Sequence, residues 1–530
     1  MTLVAEGEKI PLVIWVGFLC MIFGNFMAIL DIQIVASSLG SIQAGLGASR
    51  SEITRVQSAY LIGEVIGIAL SGYLGRALGI RILFTGSALA FGAASWACAL
   101  AWDMNSLVAF RAIQGFVGAA MIPTTMATIF LVFPKSKLPM ASTLMGFVSS
   151  AAPSLGPTIG GMIAEHFGWR ALFTINVIPS IAVAFLVWRF VKLDERNFSM
   201  LKRIDYVGLI ALALFLGCLE YTLEEAPSKG WFSDGEIVLF GVVSLFAGML
   251  FFWRAITNKN PIVDLRPLTY PVFATGAGLI FIVGFALFGP LTLQPLFLAQ
   301  VRGLNSEQVG HLLFAQGLTM MFVAPVLSRV MLKLDDLRPL GFLGFLLVAL
   351  SCWMQSQLTA QSGFNDFVWP QVVRAIGIMM AFTSLMQPAM QSLPPHIIHA
   401  ATGQFNLIRN LGGAVGLALL STLQQHSYAL HRQELYTNAN IADPYVQQRI
   451  SGYEAFFSNT GGADPHRQAI MSYVSLLDRE ALVMMFNDMF LFLAALLFVC
   501  SFFQWLMKPK SKALKDAQDR DAAAELEMMH

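Results

Sequence analysis

Residues 24–36 read GNFMAILDIQIVA, and Asp31 stands in that run with apolar neighbours on both sides. Composition places the run in a membrane. The chain has 530 residues, 56% hydrophobic and only 12% charged, with a mean hydropathy of +0.66. Soluble domains carry about 25% charged residues, so this chain cannot cover a soluble surface with charge and reads as an all-α integral membrane protein. The apolar run around Asp31 extends over 13–37, enough for the ~20 residues a bilayer core requires of a helix. Acidic and basic residues alike precede it and no small-residue cleavage site follows, so it reads as a retained helix and not a signal peptide. A carboxylate at membrane depth is costly, which makes Asp31 a functional candidate by default.

The same length criterion, applied outward from Asp31, predicts helices at 13–37, 56–76, 82–101, 105–130, 139–165, 170–192, 205–225, 236–256, 270–297, 306–330, 339–358, 368–390, 402–424 and 485–507. That is a fourteen-helix polytopic protein. The basic residues concentrate in alternate loops (GRALGIR, PKSKLP, RFVKLDERNFSMLKRID, RAITNKNPIVDLRP, RVMLKLDDLRP) and in KPKSKALK near the C-terminus. The positive-inside rule puts those loops and both termini in the cytoplasm. Two stretches break the regularity. A charged link at 193–204 follows six helices. A polar, aromatic stretch at about 425–484 precedes the last helix and is too polar to span, so it is expected to be an external loop. Its second part, RQAIMSYVSLLDREALVMM, has helical spacing of apolar residues and predicts an amphipathic helix lying on the membrane or on a partner. The tail at 509–530 is expected to be cytoplasmic.

Several chemistries find no support. No G-x-x-x-x-G-K-[ST] run is present, so nothing marks an ATP site. His396 and His399 lie three apart without a third ligand, and no metal site is expected. The five cysteines lie in apolar segments and read as small buried hydrophobes. A net charge of +1 gives no reason to expect a nucleic-acid partner. No nucleophile setting appears, and no enzyme activity or cofactor is expected.

The informative residues are the charges inside the helices. Arg111, two turns into helix 4, is expected at the depth of Asp31, with Gln114 on the same helix face. The two charges form either a structural ion pair or a proton site, in which small motions trade burial against the arginine's field. Arg374 and Arg409, in helices 12 and 13, are either anchors or cavity residues facing an anionic group. Glu220 lies about one turn inside the outer end of helix 7 and is expected to be structural or to snorkel. In helix 5, SAAPSLGPTIGGMIA puts Pro153, Gly156, Pro157, Gly160 and Gly161 within three turns, which favours bending and close helix contact.

Taken in order, these segments resemble the major facilitator superfamily, in particular its fourteen-helix drug:proton antiporters, over nearly the whole chain. GPTIGG (Gly156, Pro157, Gly160, Gly161) resembles the family's helix 5 antiporter motif. RAIQGFVGAA (Arg111, Gln114, Gly115, Gly118) resembles its helix 4 motif. GYLGRALGIR matches the loop 2–3 motif at Gly72, Leu74, Gly79 and Arg81, but Arg76 stands where the family usually has Asp, which unsettles its cytoplasmic gate pairing. GWRALFTIN, RIDYVG and NLIRNLGGAVG (Asn406, Arg409, Gly412, Gly413, Gly416) resemble further family segments. LDIQIVASSLG is similar to the helix 1 pattern at Asp31, Ile34, Val35 and Leu39, and departs from it at Gln33.

NPIVDL and the long stretch before the last helix look most like the EmrB subgroup. The resemblance implies two six-helix bundles, about 10–192 and 268–508, with an inserted helix pair at 205–256 lying outside the central cavity. It implies alternating-access export of amphipathic hydrophobic compounds from the inner membrane, with the proton as coupling ion and Asp31 and Arg111 as the coupling pair. Gln33, Gln294, Gln316, Arg374, Asn406 and Arg409 are its candidate cavity residues. It also implies a periplasmic membrane-fusion adaptor and an outer-membrane channel, for which the external stretch is a docking element or, alternatively, a lid. A dedicated exporter of one metabolite, lipid or siderophore, or a non-transporting scaffold or sensor, are the other readings of the residues.

Overall fold

The computed structural model describes residues 11–134, 136–191, 197–258, 261–304, 306–440, 442–459 and 464–507. The tail at 509–530 lies outside the described residues. Fourteen long helices run through the rest, and no strand occurs among the described residues. They are α1 (Leu12–Ser37), α2 (Arg50–Leu78), α3 (Ile80–Ala99), α4 (Met104–Val132), α5 (Leu138–Phe167), α6 (Ala171–Phe190) and α7 (Tyr206–Lys229). The series continues with α8 (Gly235–Thr257), α9 (Pro271–Gln300), α10 (Ser306–Lys333), α11 (Arg338–Gln355), α12 (Phe364–Gln391), α13 (Ile398–Asn438) and α14 (Pro465–Phe503). Twelve of these are long and apolar enough to cross a membrane by themselves; α5 and α13, which carry the Gly-Pro and Asn-Arg motifs, pack among them.

Caps explain several of the ends. Ser49 and Glu52 form a reciprocal capping box at the start of α2, and the Asp103 carboxylate accepts from Ser106 N–H at the start of α4. Gly79 ends α2 at φ 79°, a conformation that suits glycine. Within the first six helices α1 packs on α5 and α6, α2 on α4, and α3 on α4 and α6. Among the last six, α9 packs on α13, α10 on α12, and α11 on α12 and α14. The two sets meet along α5–α10, α5–α12, α2–α13 and α4–α13.

Three particulars go beyond these expectations. The external stretch is helical: α13 runs 41 residues to Asn438, a helix spans Pro444–Asn459, and α14 begins at Pro465. At 1.5 Å per residue α13 is about 60 Å long, twice the bilayer core, so it continues into water. RQAIMSYVSLLDREALVMM is the first half of α14, packed on α13 and the intervening helix, and not a separate surface helix. The extensions are tied by Arg432 Nε to Asp478 Oδ1 (2.7 Å), Tyr436 Oη to Asp478 Oδ1 (3.1 Å) and Ser427 Oγ to Asp488 Oδ2 (2.7 Å). Second, α7 packs on both α2 and α13, so it lies across the seam between the two sets of helices. Third, Glu220 does not snorkel: it is 4% exposed and its Oε2 has no hydrogen-bond partner.

Candidate functional site

Asp31, in the second half of α1, meets Arg111 of α4 with Nη1 to Oδ2 at 2.6 Å, and both side chains are 0% exposed. A buried pair of this kind is tolerated only if its other lone pairs and protons are satisfied. Asn176 Nδ2, at a break inside α6, donates to Asp31 Oδ1 at 2.6 Å, and Gln114 Nε2 donates to the same oxygen at 3.3 Å. Gln114 also accepts from Arg111 Nη1 (2.8 Å) and donates to Ser95 Oγ of α3 (2.6 Å). The guanidinium lies 4.1 Å from the centre of the Tyr60 ring of α2, and its Nε and Nη2 have no hydrogen-bond partner. Five helices thus converge on one ion pair with donor capacity in reserve. Gly115 permits the approach, since a Cβ there would sit 2.1 Å from the Tyr60 carbonyl oxygen.

A parallel site lies among the last six helices. VRAIGI (373–378) in α12 shares the Arg-Ala-Ile run of FRAIQG (110–115) in α4, with a glycine in place of Gln114. Arg374 is fully buried, as Arg111 is. Its Nη2 donates to Gln294 Oε1 of α9 at 3.1 Å, its Nε donates to Gln316 Oε1 of α10 at 3.1 Å, and Nη1 has no partner. Where the first site has Asp31, this one has Gln294, so the arginine is met by neutral amides.

Gln294, Gln316 and Arg374 therefore come together, whereas the other cavity candidates stand apart. Gln33 packs on α5, where a Cβ on Gly156 would sit 2.2 Å from Gln33 Cβ. Asn406 Nδ2 donates to Thr402 O (2.9 Å) and reaches Met126 Sδ of α4 at 3.2 Å. Arg409 Nη2 donates to Asn410 Oδ1 at 3.3 Å. In α5, a Cβ on Gly160 would lie 2.7 Å from the Ile34 carbonyl oxygen, and Pro153 and Pro157 lie inside the helix, with Gly161 buried.

The loop 2–3 motif lies at the opposite helix ends. Gly72 backs onto α13, 3.0 Å from Ala400 Cα as a Cβ would measure it. Arg76 finds its acid elsewhere than the family pattern places it. Its Nη1 meets Asp264 Oδ2 at 3.2 Å, in the NPIVDL segment between α8 and α9. Asp264 also holds Arg266 (2.5 Å), and Gln404 of α13 donates to the Asp264 carbonyl. Burial pushes the Asp264 carboxyl upward, but its hydrogen bonds from Arg266 outweigh that and hold it below the usual carboxylate range. Arg81 donates to Trp188 O from Nε (2.9 Å) and Nη2 (2.6 Å), tying α3 to the end of α6.

Sequence reasoning missed Asn176, Ser95, Tyr60 and Glu64. The first three are ordinary residues by type. Glu64, in LIGEVIG (61–67), carried the same signal as Asp31: a charge in an apolar run.

The Major Facilitator Superfamily model matches residues 21–417. The chain belongs to this superfamily. Among similar proteins are the colistin resistance protein EmrB of Acinetobacter baumannii, 38% identical over 92% of this chain and 95% of that protein. The fatty acid resistance protein FarB of Neisseria gonorrhoeae is 30% identical over 91% of this chain and 94% of its own. The multidrug export protein EmrB of Escherichia coli K12 is 29% identical over 92% and 93%. The chain is EmrB-like. The fold is shared with the human organic anion transporter MFSD10 (TM-score 0.56, 13% identity, 92% of this chain and 100% of that one) and the proton:xylose symporter XylE (0.56, 12%, 93% and 99%).

Proposed function

We propose that this superfamily member is a proton-driven exporter of amphipathic, largely hydrophobic compounds in the bacterial inner membrane, with Asp31 and Arg111 as its coupling pair. The observation that carries the reading is the fully buried 2.6 Å contact between the two. A proton added to Asp31 neutralises the carboxylate and releases Arg111, whose Nε and Nη2 are free to take new acceptors. Because Asn176 and Gln114 belong to other helices, that release alters how α1, α4 and α6 hold together. Each proton carries about 2.3 kcal/mol per 100 mV of membrane potential.

Export relatives bear the names multidrug export, colistin resistance and fatty acid resistance proteins, which favours a broad hydrophobic substrate range. Counting α5 and α13 as spans gives fourteen, with both termini cytoplasmic and substrate bound between the two sets of helices. Arg374, Gln294 and Gln316 are then the polar residues of the cavity. A tripartite arrangement also fits. The helical extension presents exposed Tyr445 and Phe456 beside a cleft of ≈ 1040 Å³ lined by Arg449, Tyr453 and Tyr473, suited to a periplasmic adaptor.

Dye and proton fluxes in inverted vesicles test the core claim. Substrate-dependent proton release is expected, and Asp31→Asn is expected to abolish pH-driven export while the protein remains folded and inserted. Wild-type export by D31N against a gradient refutes the assignment. Competition among unrelated dyes separates broad from dedicated export.

A further inference from the structure

We infer that Glu64 is a second proton-binding carboxylate, set on the seam between the two halves and reached from the surface through Glu224 and Glu220 of α7. The inference rests on the proton-driven reading above.

Glu64 is 3% exposed in the middle of α2. From α13, which packs on α2, the Arg409 guanidinium and the Asn410 amide act on its carboxylate. From α4, Arg111 acts on it, and Tyr60, one turn earlier on α2, has its ring centre 4.1 Å from the Arg111 guanidinium. From α7, Glu220 acts on it across the packed α2–α7 contact. These charged and titratable groups come from α4, α7 and α13, three of the helices packed on α2, and from its own helix.

Two of these neighbours have unused hydrogen-bonding capacity at full burial. Glu220 is 4% exposed, with Oε2 unpartnered. Arg409 is 4% exposed, with Nε and Nη1 unpartnered. A free carboxylate oxygen beside a second buried carboxylate has one natural occupant, a proton, whose presence relieves the repulsion between them. Free guanidinium donors on the other side have one natural acceptor, an ionised Glu64. α7 itself leads from Glu220 towards the surface. Glu224, one turn along α7 from Glu220, is exposed and acts on Glu220.

The step involves only a proton. When α13 draws away from α2, Arg409 withdraws and a proton arriving by Glu224 and Glu220 adds to a Glu64 carboxylate oxygen, leaving a neutral acid. When α13 returns, Arg409 pairs with the carboxylate, the O–H bond breaks and the proton leaves to water in the opened cavity. Arg409 thus couples proton occupancy on α2 to the position of the other half, and α7 acquires a task beyond filling space.

The full-length protein in proteoliposomes tests this, with an export substrate found by the dye assay above as the probe. Measured are pH-driven uphill transport, gradient-free substrate exchange and substrate-induced proton release. Glu64→Gln is expected to lower the ratio of pH-driven transport to exchange at least tenfold and to flatten its pH profile, with Glu64→Asp restoring most of both. Glu220→Gln is expected to slow proton uptake severalfold. Should E64Q fail to insert, E64Q/R409Q, which removes both charges together, is read in its place for the same ratio. A wild-type ratio and pH profile in E64Q, or in that double variant, overturns the inference; unchanged proton uptake in E220Q overturns the α7 route. If the wild-type protein releases no protons with substrate and D31N changes nothing, the proton-driven reading itself fails. If D31N behaves as expected and E64Q does not, only Glu64 is wrong.

Discussion

At the scale of single residues, the buried charges differ in whether a partner of opposite sign meets them. Asp31 and Arg111 do, and Asn176 holds the carboxylate from a third helix at 2.6 Å. Asn176→Ala should therefore leave the charges in place but loosen their geometry. A loss of about 1.5–3 kcal/mol is expected for a hydrogen bond to a charged group, together with a shift in the pH profile of transport. An unchanged profile sinks the assignment of Asn176 as a positioning residue. At the other helix ends the Arg76–Asp264 contact makes a second prediction. Asp264 titrates below the usual carboxylate range of about 4. Held low chiefly by Arg266 and in smaller part by Arg76, the Asp264 carboxylate stabilises the fold above the unfolded carboxylate's titration, and that stability is lost only as pH falls through the folded one. The melting-temperature difference between wild type and Asp264→Asn should hold constant from pH 8 to 5 and shrink below about 4. A difference that collapses near pH 6 counts against it. The sequence marked Asp31 and Arg111 because a charge in an apolar run announces its own cost. It marked Arg76 only as a departure, since its acid lies almost 190 residues away in NPIVDL.

At the scale of elements, helices were legible wherever the bilayer wrote them, because about 20 consecutive apolar residues have few other uses. The misreading came where α13 leaves the apolar layer. HSYALHRQELYTN (426–438) is polar, so a criterion built on lipid ends the helix near 424, yet the backbone continues to Asn438 by packing on α14. Glycine in α5 was legible for a different reason: Gly156, Gly160 and the two prolines make a pattern with little helical propensity, so close packing must sustain it. The structure gives that packing a partner, α1, the helix that carries Asp31. Gly160→Leu would drive a side chain into backbone atoms of α1 2.7 Å from its own Cβ. Overpacking of this kind costs about 1–3 kcal/mol. A lowered melting temperature and a tenfold or greater loss of coupled transport, or a proton leak, are expected at retained expression. Normal coupled transport in that variant rules out α5 as a sealing element.

At the scale of the whole molecule, α13 and α14, with 41 and 39 residues, are the longest helices among the described residues, and both extend at the ends nearer Asp31. Arg432, Tyr436 and Asp478 tie the extension to itself, which favours a role outside the transport cavity. A lid would fold back over the other helices. The helix Pro444–Asn459 instead packs on α14 and leaves Tyr445 82% and Phe456 60% exposed, which suits a surface awaiting a partner. The geometry also fixes how to remove it. Tyr436 meets Asp478 at 3.1 Å, so Asn438 and Ser475 are close neighbours on antiparallel helices, and residues 439–474 can be replaced by a short Gly-Ser linker without stretching the chain. That variant is expected to keep drug-dependent proton flux in vesicles within about twofold of wild type, to lose drug resistance in whole cells, and to lose co-purification of the proposed periplasmic adaptor. Loss of flux in vesicles with the adaptor still bound would make the extension a lid, and the docking assignment would fall.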